Sequence, residues 1–195
     1  MANEQAVKFG ISNAYYAVYD ESTGKYGTPK RLKGAVSMSI SREGDESRFY
    51  ADNIVYYQMS TNAGYSGDFE LAMTPDSVYT DLLGQETDAN GVLVESSDDK
   101  QATFALMYEV SGNAYDQRFV MYNCTLSRPA TEAKTKEDTT TPDTDTLNIS
   151  MVSREFTWGT GVKNIVKASV KNEEATKAQY DSWYTEVYVP TKASA

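Results

Sequence analysis

A chain of 195 residues with 40% apolar content reads as one large domain with its own core, or a domain with tails; two independent cores would be cramped. It has no His and a single Cys, which excludes Ser-His-Asp and Cys-His nucleophilic centres, imidazole metal sites and any internal disulfide. Its formal net charge of −10 speaks against gripping nucleic acid, because affinity for phosphate comes chiefly from Lys and Arg.

The opening Met1-Ala2-Asn3-Glu4-Gln5 has neither a basic nor an apolar region, so no signal peptide is expected and the chain is expected to fold in a cytoplasm. No apolar run approaches the roughly 20 residues of a membrane-spanning helix. The aromatic run 14–19 predicts a strand, and Glu21 to Gly24 a turn. Residues 26–32 are expected to pair back, at an edge or kinked because Pro29 cannot donate to a ladder. In 35–40, Val36, Met38 and Ile40 alternate with Ser37, Ser39 and Ser41, which predicts a half-buried strand. The charged stretch 42–53, with Gly44, Phe49 and Tyr50, is expected to be a long loop. Strands follow at 54–60 and 67–73, separated by a turn at Asn62-Ala63-Gly64.

Thr74 is expected to cap a short helix with Pro75 at its first position, Asp76 in its first turn, Val78 and Leu82 on its buried stripe and Gly84 at its end. Asp88-Ala89-Asn90-Gly91 has the composition of a hairpin turn. Strands are expected around 92–95, 103–110 and 118–126, the last two joined across 111–117. The Thr-rich stretch 128–145, broken by Pro129 and Pro142, reads as a loop or mobile segment. Residues 147–152 alternate again, and 162–170 read as one more strand. Asn172 is expected to cap a final helix with Tyr180, Trp183, Tyr184 and Val187 on one stripe and Pro190 as its stop. The sum is a mainly β single domain over 1–190, a β-sandwich or partly closed barrel with one or two short flanking α-helices, and a flexible tail at 191–195.

Little in this inventory carries chemistry. Cys124, between Tyr122 and Leu126, reads as a packed thiol, and Gly159-Thr160-Gly161 lacks the rest of any phosphate-binding motif. Carboxylates gather at Glu43, Asp45, Glu46 and Asp52, at Glu86, Asp88, Glu95, Asp98 and Asp99, and at Asp138, Asp143 and Asp145. A glycosidase pair or a Ca²⁺ site needs such groups, yet none has EF-hand spacing, and solvated acidic loops are the favoured reading. No cofactor or metal is expected. Tyr15, Tyr16, Tyr19, Tyr26, Tyr50, Tyr56, Tyr57 and Tyr65 crowd the first third; adjacent pairs such as Tyr56 and Tyr57 point to opposite strand faces, which suits an interface or a sugar-binding platform as well as a core.

The order of motifs has a further implication. Gly10-Ile11-Ser12-Asn13-Ala14-Tyr15-Tyr16-Ala17-Val18-Tyr19 is followed by Gly27-Thr28-Pro29-Lys30, Gly34-Ala35-Val36-Ser37 and Phe49-Tyr50-Ala51-Asp52-Asn53-Ile54-Val55-Tyr56-Tyr57. Then come Asn62-Ala63-Gly64-Tyr65-Ser66-Gly67-Asp68, Asp88-Ala89-Asn90-Gly91-Val92, Tyr122-Asn123-Cys124-Thr125-Leu126-Ser127-Arg128-Pro129 and Thr135-Lys136-Glu137. From about Phe9 to Val189 this set resembles the major tail protein family of phages and prophages with long, non-contractile tails infecting Gram-positive bacteria.

The resemblance implies a non-enzymatic subunit that forms stacked six-membered rings around a tape measure protein, in contact with tail tip and tail terminator proteins, through which double-stranded DNA passes without specific binding. It implies assembly in the host cytoplasm, residence in the virion tail and no membrane. Glu43, Asp45, Glu46, Arg48, Phe49, Tyr50 and Asp52, with Arg128, Lys134, Lys136, Glu137 and Asp138, are the candidate residues for contacts between subunits and rings; Val78, Leu82, Tyr180, Trp183 and Tyr184 are the expected helix anchors. The alternative is a β-sandwich module binding carbohydrate or a cell surface through its Tyr-rich strands. A His-free hydrolase with paired carboxylates is the third class.

Overall fold

The aromatic run near the N-terminus lies in the longest strand of the molecule, β1 (Lys8–Asp20). The structure, a computed structural model, describes residues 7–112, 114–130 and 143–192. The Asp20 carboxylate ends β1 by accepting the Ser22 N–H (2.9 Å) and the Ser22 and Thr23 hydroxyls (2.6 and 2.9 Å), and Gly24 supplies the left-handed φ of 69° that turns the chain. β2 (Lys25–Tyr26) and β3 (Lys30–Leu32), interrupted at Pro29, both return along β1 and form the expected edge.

The strands that follow are β4 (Ala35–Glu43), β5 (Glu46–Ala51), β6 (Ile54–Ser60) and β7 (Gly64–Leu71). After α1 (Asp76–Leu83) come β8 (Glu86–Thr87), β9 (Leu93–Val94), β10 (Phe104–Gly112) and β11 (Gln117–Leu126). The C-terminal third holds β12 (Asp145–Val152), β13 (Arg154–Trp158), β14 (Gly161–Ile165), β15 (Lys167–Lys171), a 3₁₀ turn (Glu174–Thr176) and α2 (Lys177–Ser182).

The main sheet runs β2-β1-β10-β11-β12-β7-β4, with β3 also on β1 and β15 also on β11. It forks at β11: Gln117 to Met121 pair with β15, Asn123 to Leu126 with β12. An extra β11 residue lies at the fork, because Leu106 faces Met121 while Phe104 faces Cys124. Such a bulge reverses which side chains point to which face. The sheet curls until β4 touches β1, but the two share no ladder, so it is not closed into a barrel. The fold is therefore mainly β with two short helices.

Both faces of the central strands are covered. Phe104, Leu106, Tyr108, Met121, Cys124 and Leu126 pack with Tyr16, Phe69, Leu147, Ile149, Met151 and the α1 residues Val78, Leu82 and Leu83. On the opposite face Ala105, Met107, Val120 and Tyr122 meet Tyr180, Trp183 and Val187 from the C-terminal segment. Each large apolar side chain buried in this way contributes about 1.5–3 kcal/mol. Val78, Leu82 and Tyr180 are buried helix residues; Trp183, also buried, and Tyr184, half-buried and stacked on Tyr15 at 4.3 Å between ring centroids, are both expected on the last helix but follow the end of α2.

Several expectations are corrected. Thr74 does not cap α1: the cap position is Pro75, without a side-chain hydrogen bond, and the Thr74 Oγ1 is buried with no partner, while its N–H donates to Asp145 Oδ2 (2.6 Å) and ties this segment to β12. Gly84 does end the helix, at φ 77°. Val36 leaves the row of Met38 and Ile40, since an extra β4 residue between Ala35 and Ser37 turns it outward to 49% exposure. Residues 162–170 are two strands, because the chain changes partner at Val166, whose carbonyl accepts from the Tyr122 N–H. The final helix is only a 3₁₀ turn and six residues, with Glu173 rather than Asn172 at the cap. The Tyr180 carbonyl accepts both the Trp183 N–H (3.3 Å), which tightens the last turn, and Arg118, and the indole of Trp183 donates to the Phe119 carbonyl at 3.3 Å.

Burial also shifts the phenols. It raises Tyr16, Tyr108 and Tyr180 from the ordinary 10.0 to about 12, and Tyr26, Tyr122 and Tyr184 higher still. The folded state thus favours the neutral phenols, a stabilisation complete below the unfolded value near 10 and lost as pH rises through the folded values. A phenolate absorbance titration is expected to show a late, steep wave coinciding with loss of β-sheet circular dichroism. Complete ionisation in one wave around pH 10, with the fold intact, would contradict the burial.

Candidate assembly surfaces

The stretch 42–53 is not a loop. β4 continues to Glu43, and β5 and β6 form a two-stranded ribbon beyond the main sheet, joined to it by Thr61 N–H to Asp45 O and Ala63 N–H to Glu43 O (both 3.0 Å). At this joint Gly44 adopts φ 154°, and a Cβ there would collide with the Thr61 carbonyl. At the tip Asp52 and Asn53 take φ 51° and 62°, the pair of left-handed residues that closes a two-residue hairpin and that Asp and Asn tolerate best. That dipeptide between two strand-forming segments was the available signal. A high local charge obscured it.

Seven candidate residues, Glu43, Asp45, Glu46, Arg48, Phe49, Tyr50 and Asp52, are thereby brought together on the arm or at its root. Ser47 opposes Met59, Phe49 opposes Tyr57 and Ala51 opposes Ile54. Cross-strand partners share a face, and β5 is regular, so one face of the arm presents Phe49, Ala51, Ile54, Tyr57 and Met59. Phe49, Tyr50, Ile54, Tyr56 and Tyr57 are each 60% exposed or more. Arg48 pairs with Glu46 (3.2 Å), and the Ser66 hydroxyl donates to Glu43. Tyr56 and Tyr57, whose pairing suits an interface, a sugar platform or a core, belong to this surface, as do Ile54 and Met59, which no sequence pattern marks as contact residues.

The remaining candidates do not join it. Arg128 pairs with Glu95 (3.2 Å) and donates to the Ser96 carbonyl (3.0 Å). Lys134, Lys136, Glu137 and Asp138 lie outside the described residues.

A second surface is the uncovered side of β4, β7, β12 and the end of β11. Register places Ser37, Glu70 and Thr146 in one row, Ser39, Asp68 and Asn148 in the next, and Ser41, Ser66, Ser150 and Thr125 in a third. None is cationic. Ser37 and Thr144 hydroxyls donate to Glu70 (2.7 and 2.5 Å), and these bonds, Thr144 first, hold its carboxyl below the usual range. Asn148 donates to Asp68. Small side chains bound to one another make these three rows polar.

Cys124 is buried, and burial pushes its thiol up to about 12, where it is no nucleophile. Asp88 and Asp99 accept backbone N–H groups within their own turns. Among the described residues no three acidic or sulfur groups could together hold a metal ion. The tyrosines do not make one platform: Tyr16 is core, Tyr19 and Tyr26 meet edge-on at 5.0 Å, and Tyr50, Tyr56 and Tyr57 belong to the arm. No helix is long and apolar enough to cross a membrane among the described residues.

No family model matches this chain, and no curated protein does. Among solved structures, a chain from the cryo-EM structure of the anti-feeding prophage baseplate, 6-fold symmetrised, aligns over 87% of this chain and 97% of that one, at a TM-score of 0.38 and 8% identity.

Proposed function

We propose that this chain is a structural, non-enzymatic subunit of a phage tail tube, assembling into stacked hexameric rings that enclose a channel for DNA. The observation that carries the reading is the arm: a projecting ribbon with Phe49, Ile54, Tyr57 and Met59 in solvent is a liability for an isolated molecule and an asset for one that meets copies of itself. The ordered motifs from Phe9 to Val189 support the same class. The polar face of β4, β7 and β12 suits the wall of a bore, because rows without Lys or Arg provide no counterion-release affinity for a passing polyphosphate. In this reading the tape measure protein occupies the bore before DNA does, and tail tip and terminator proteins bound the stack in the virion.

Negative-stain electron microscopy of concentrated protein, and of phage particles, tests it. Rings or tubes of uniform bore are expected. A protein that stays monomeric under all conditions and is absent from virions would overturn the reading.

A further inference from the structure

A cleft of about 780 Å³ opens between the β1–β2 turn, the β13–β14 hairpin and residues 186–192. Tyr19, Tyr26, Phe156 and Pro190 line it, with Lys25, Arg154 and Lys192 around them. Arg154 places its Cζ 3.4 Å from the Tyr19 ring centroid and donates from Nη2 to Asn123 Oδ1 at 3.2 Å. Its Nε is buried without a hydrogen-bond partner, and none of the ion pairs among the described residues includes it. Arg48, Arg118 and Arg128 each have a carboxylate; Arg31, Arg42 and Arg154 are in none of these ion pairs, and of those three only Arg154 is half-buried rather than exposed. A half-buried guanidinium whose fork matches a carboxylate, left without one, is an incomplete pair. Three cations face two carboxylates here, Glu155 and Glu186, on a chain with 28 acidic and 18 basic residues.

The molecule also carries the complementary convex part. Asp52 stands at the arm tip, the end of a ribbon about 20 Å long by the rise of its six-residue strand. Tyr50 and Ile54 flank it at 60% and 62% exposure, so this tip does not fill a cleft of its own chain.

We propose that the arm tip of one copy docks in the Arg154 cleft of the next, the Asp52 carboxylate on the guanidinium and Tyr50 and Ile54 against Tyr19, Tyr26 and Phe156. The inference rests on the self-assembly reading and adds to it the surface that receives the arm. Knob and socket lie on different parts of one chain, so the contact is head-to-tail and repeats from copy to copy, as a ring or stack requires.

Charge reversal tests the pairing. Asp52→Lys and Arg154→Asp are each expected to lower the assembled fraction about tenfold or more at fixed concentration, since like charges then meet in the contact. The double variant is expected to recover most of it. Asp52 is at an exposed tip but holds φ 51°, which Lys favours less than Asp, so Asp52→Asn, which keeps the turn and removes only the charge, is expected to lower the assembled fraction in the same direction, and circular dichroism controls for both charge reversals. As a second measurement, Asp52→Cys with Thr157→Cys is expected to give a ladder of covalent oligomers with a short bismaleimide, Cys124 being buried. If the wild type never polymerises, the tube reading fails. If it polymerises while Asp52→Lys assembles as well as wild type, or the folded double variant is not rescued and no ladder forms, this contact is overturned and the tube reading stands.

Discussion

Replacing Phe49 and Tyr57 together by Asp is expected to leave the isolated subunit folded, with an unchanged melting temperature, and to abolish assembly. The two side chains oppose each other across the arm and are 62% and 60% exposed, so the monomer gains little from them. In a contact between copies each large aromatic contributes about 1.5–3 kcal/mol on burial, and aromatics of this kind tend to dominate an interface. Two carboxylates at the same place add the cost of desolvating charge without a partner. In the proposed assembly every copy uses its arm, so the loss recurs at each step of polymer growth. Sedimentation of concentrated protein separates the outcomes: wild type in the pellet and the double variant in the supernatant with wild-type circular dichroism. A variant that polymerised at the wild-type concentration would remove the arm from the assembly mechanism.

Glu109→Ala is expected to be the most damaging single change in the C-terminal clamp. Glu109 is 7% exposed and its Oε2 accepts from Arg118 Nε at 2.6 Å and from the Tyr180 hydroxyl at 3.2 Å. Arg118 in turn holds the Tyr180 carbonyl and lies over the Tyr180 and Tyr184 rings, 3.8 and 4.6 Å from Cζ to centroid. Removing the carboxylate strands a largely buried guanidinium, which costs about 3–5 kcal/mol. For a chain of this length that is on the order of a 10 °C fall in melting temperature. Replacing both partners by Met is expected to recover much of the loss, because an apolar pair leaves no charge unmatched. Thermal denaturation decides it: a melting temperature for Glu109→Ala within a degree or two of wild type would mean that water already satisfies the pair.

Much of the fold was legible from local pattern. The strand over 147–152 was readable because Leu147, Ile149 and Met151 alternate with polar residues along a strand buried on one side. The Gly84 helix end and the Asp88–Gly91 turn were readable because each needs a backbone geometry that few residues adopt. The arm was legible only in part. Its second strand was readable over 54–60, but β5 was not, because it opens with Glu46, Ser47 and Arg48 inside a charged stretch and no alternation marks it. The end of the final helix was not either: the Tyr180 carbonyl there also accepts from Arg118, 62 positions away.

The same division separates composition from geometry. By itself the chain determined its class of fold, its surplus of acid, its lack of imidazole and the buried stripe of α1, since these follow from residue type and short-range spacing. Tertiary structure alone decided where β11 forks, which serines share a face with Asp68 and Glu70, that 42–53 stands out as an arm, and that Arg154 is left without a carboxylate. Those outcomes depend on register and on partners far apart in sequence, and a one-residue shift at a single bulge would exchange the faces of every side chain beyond it.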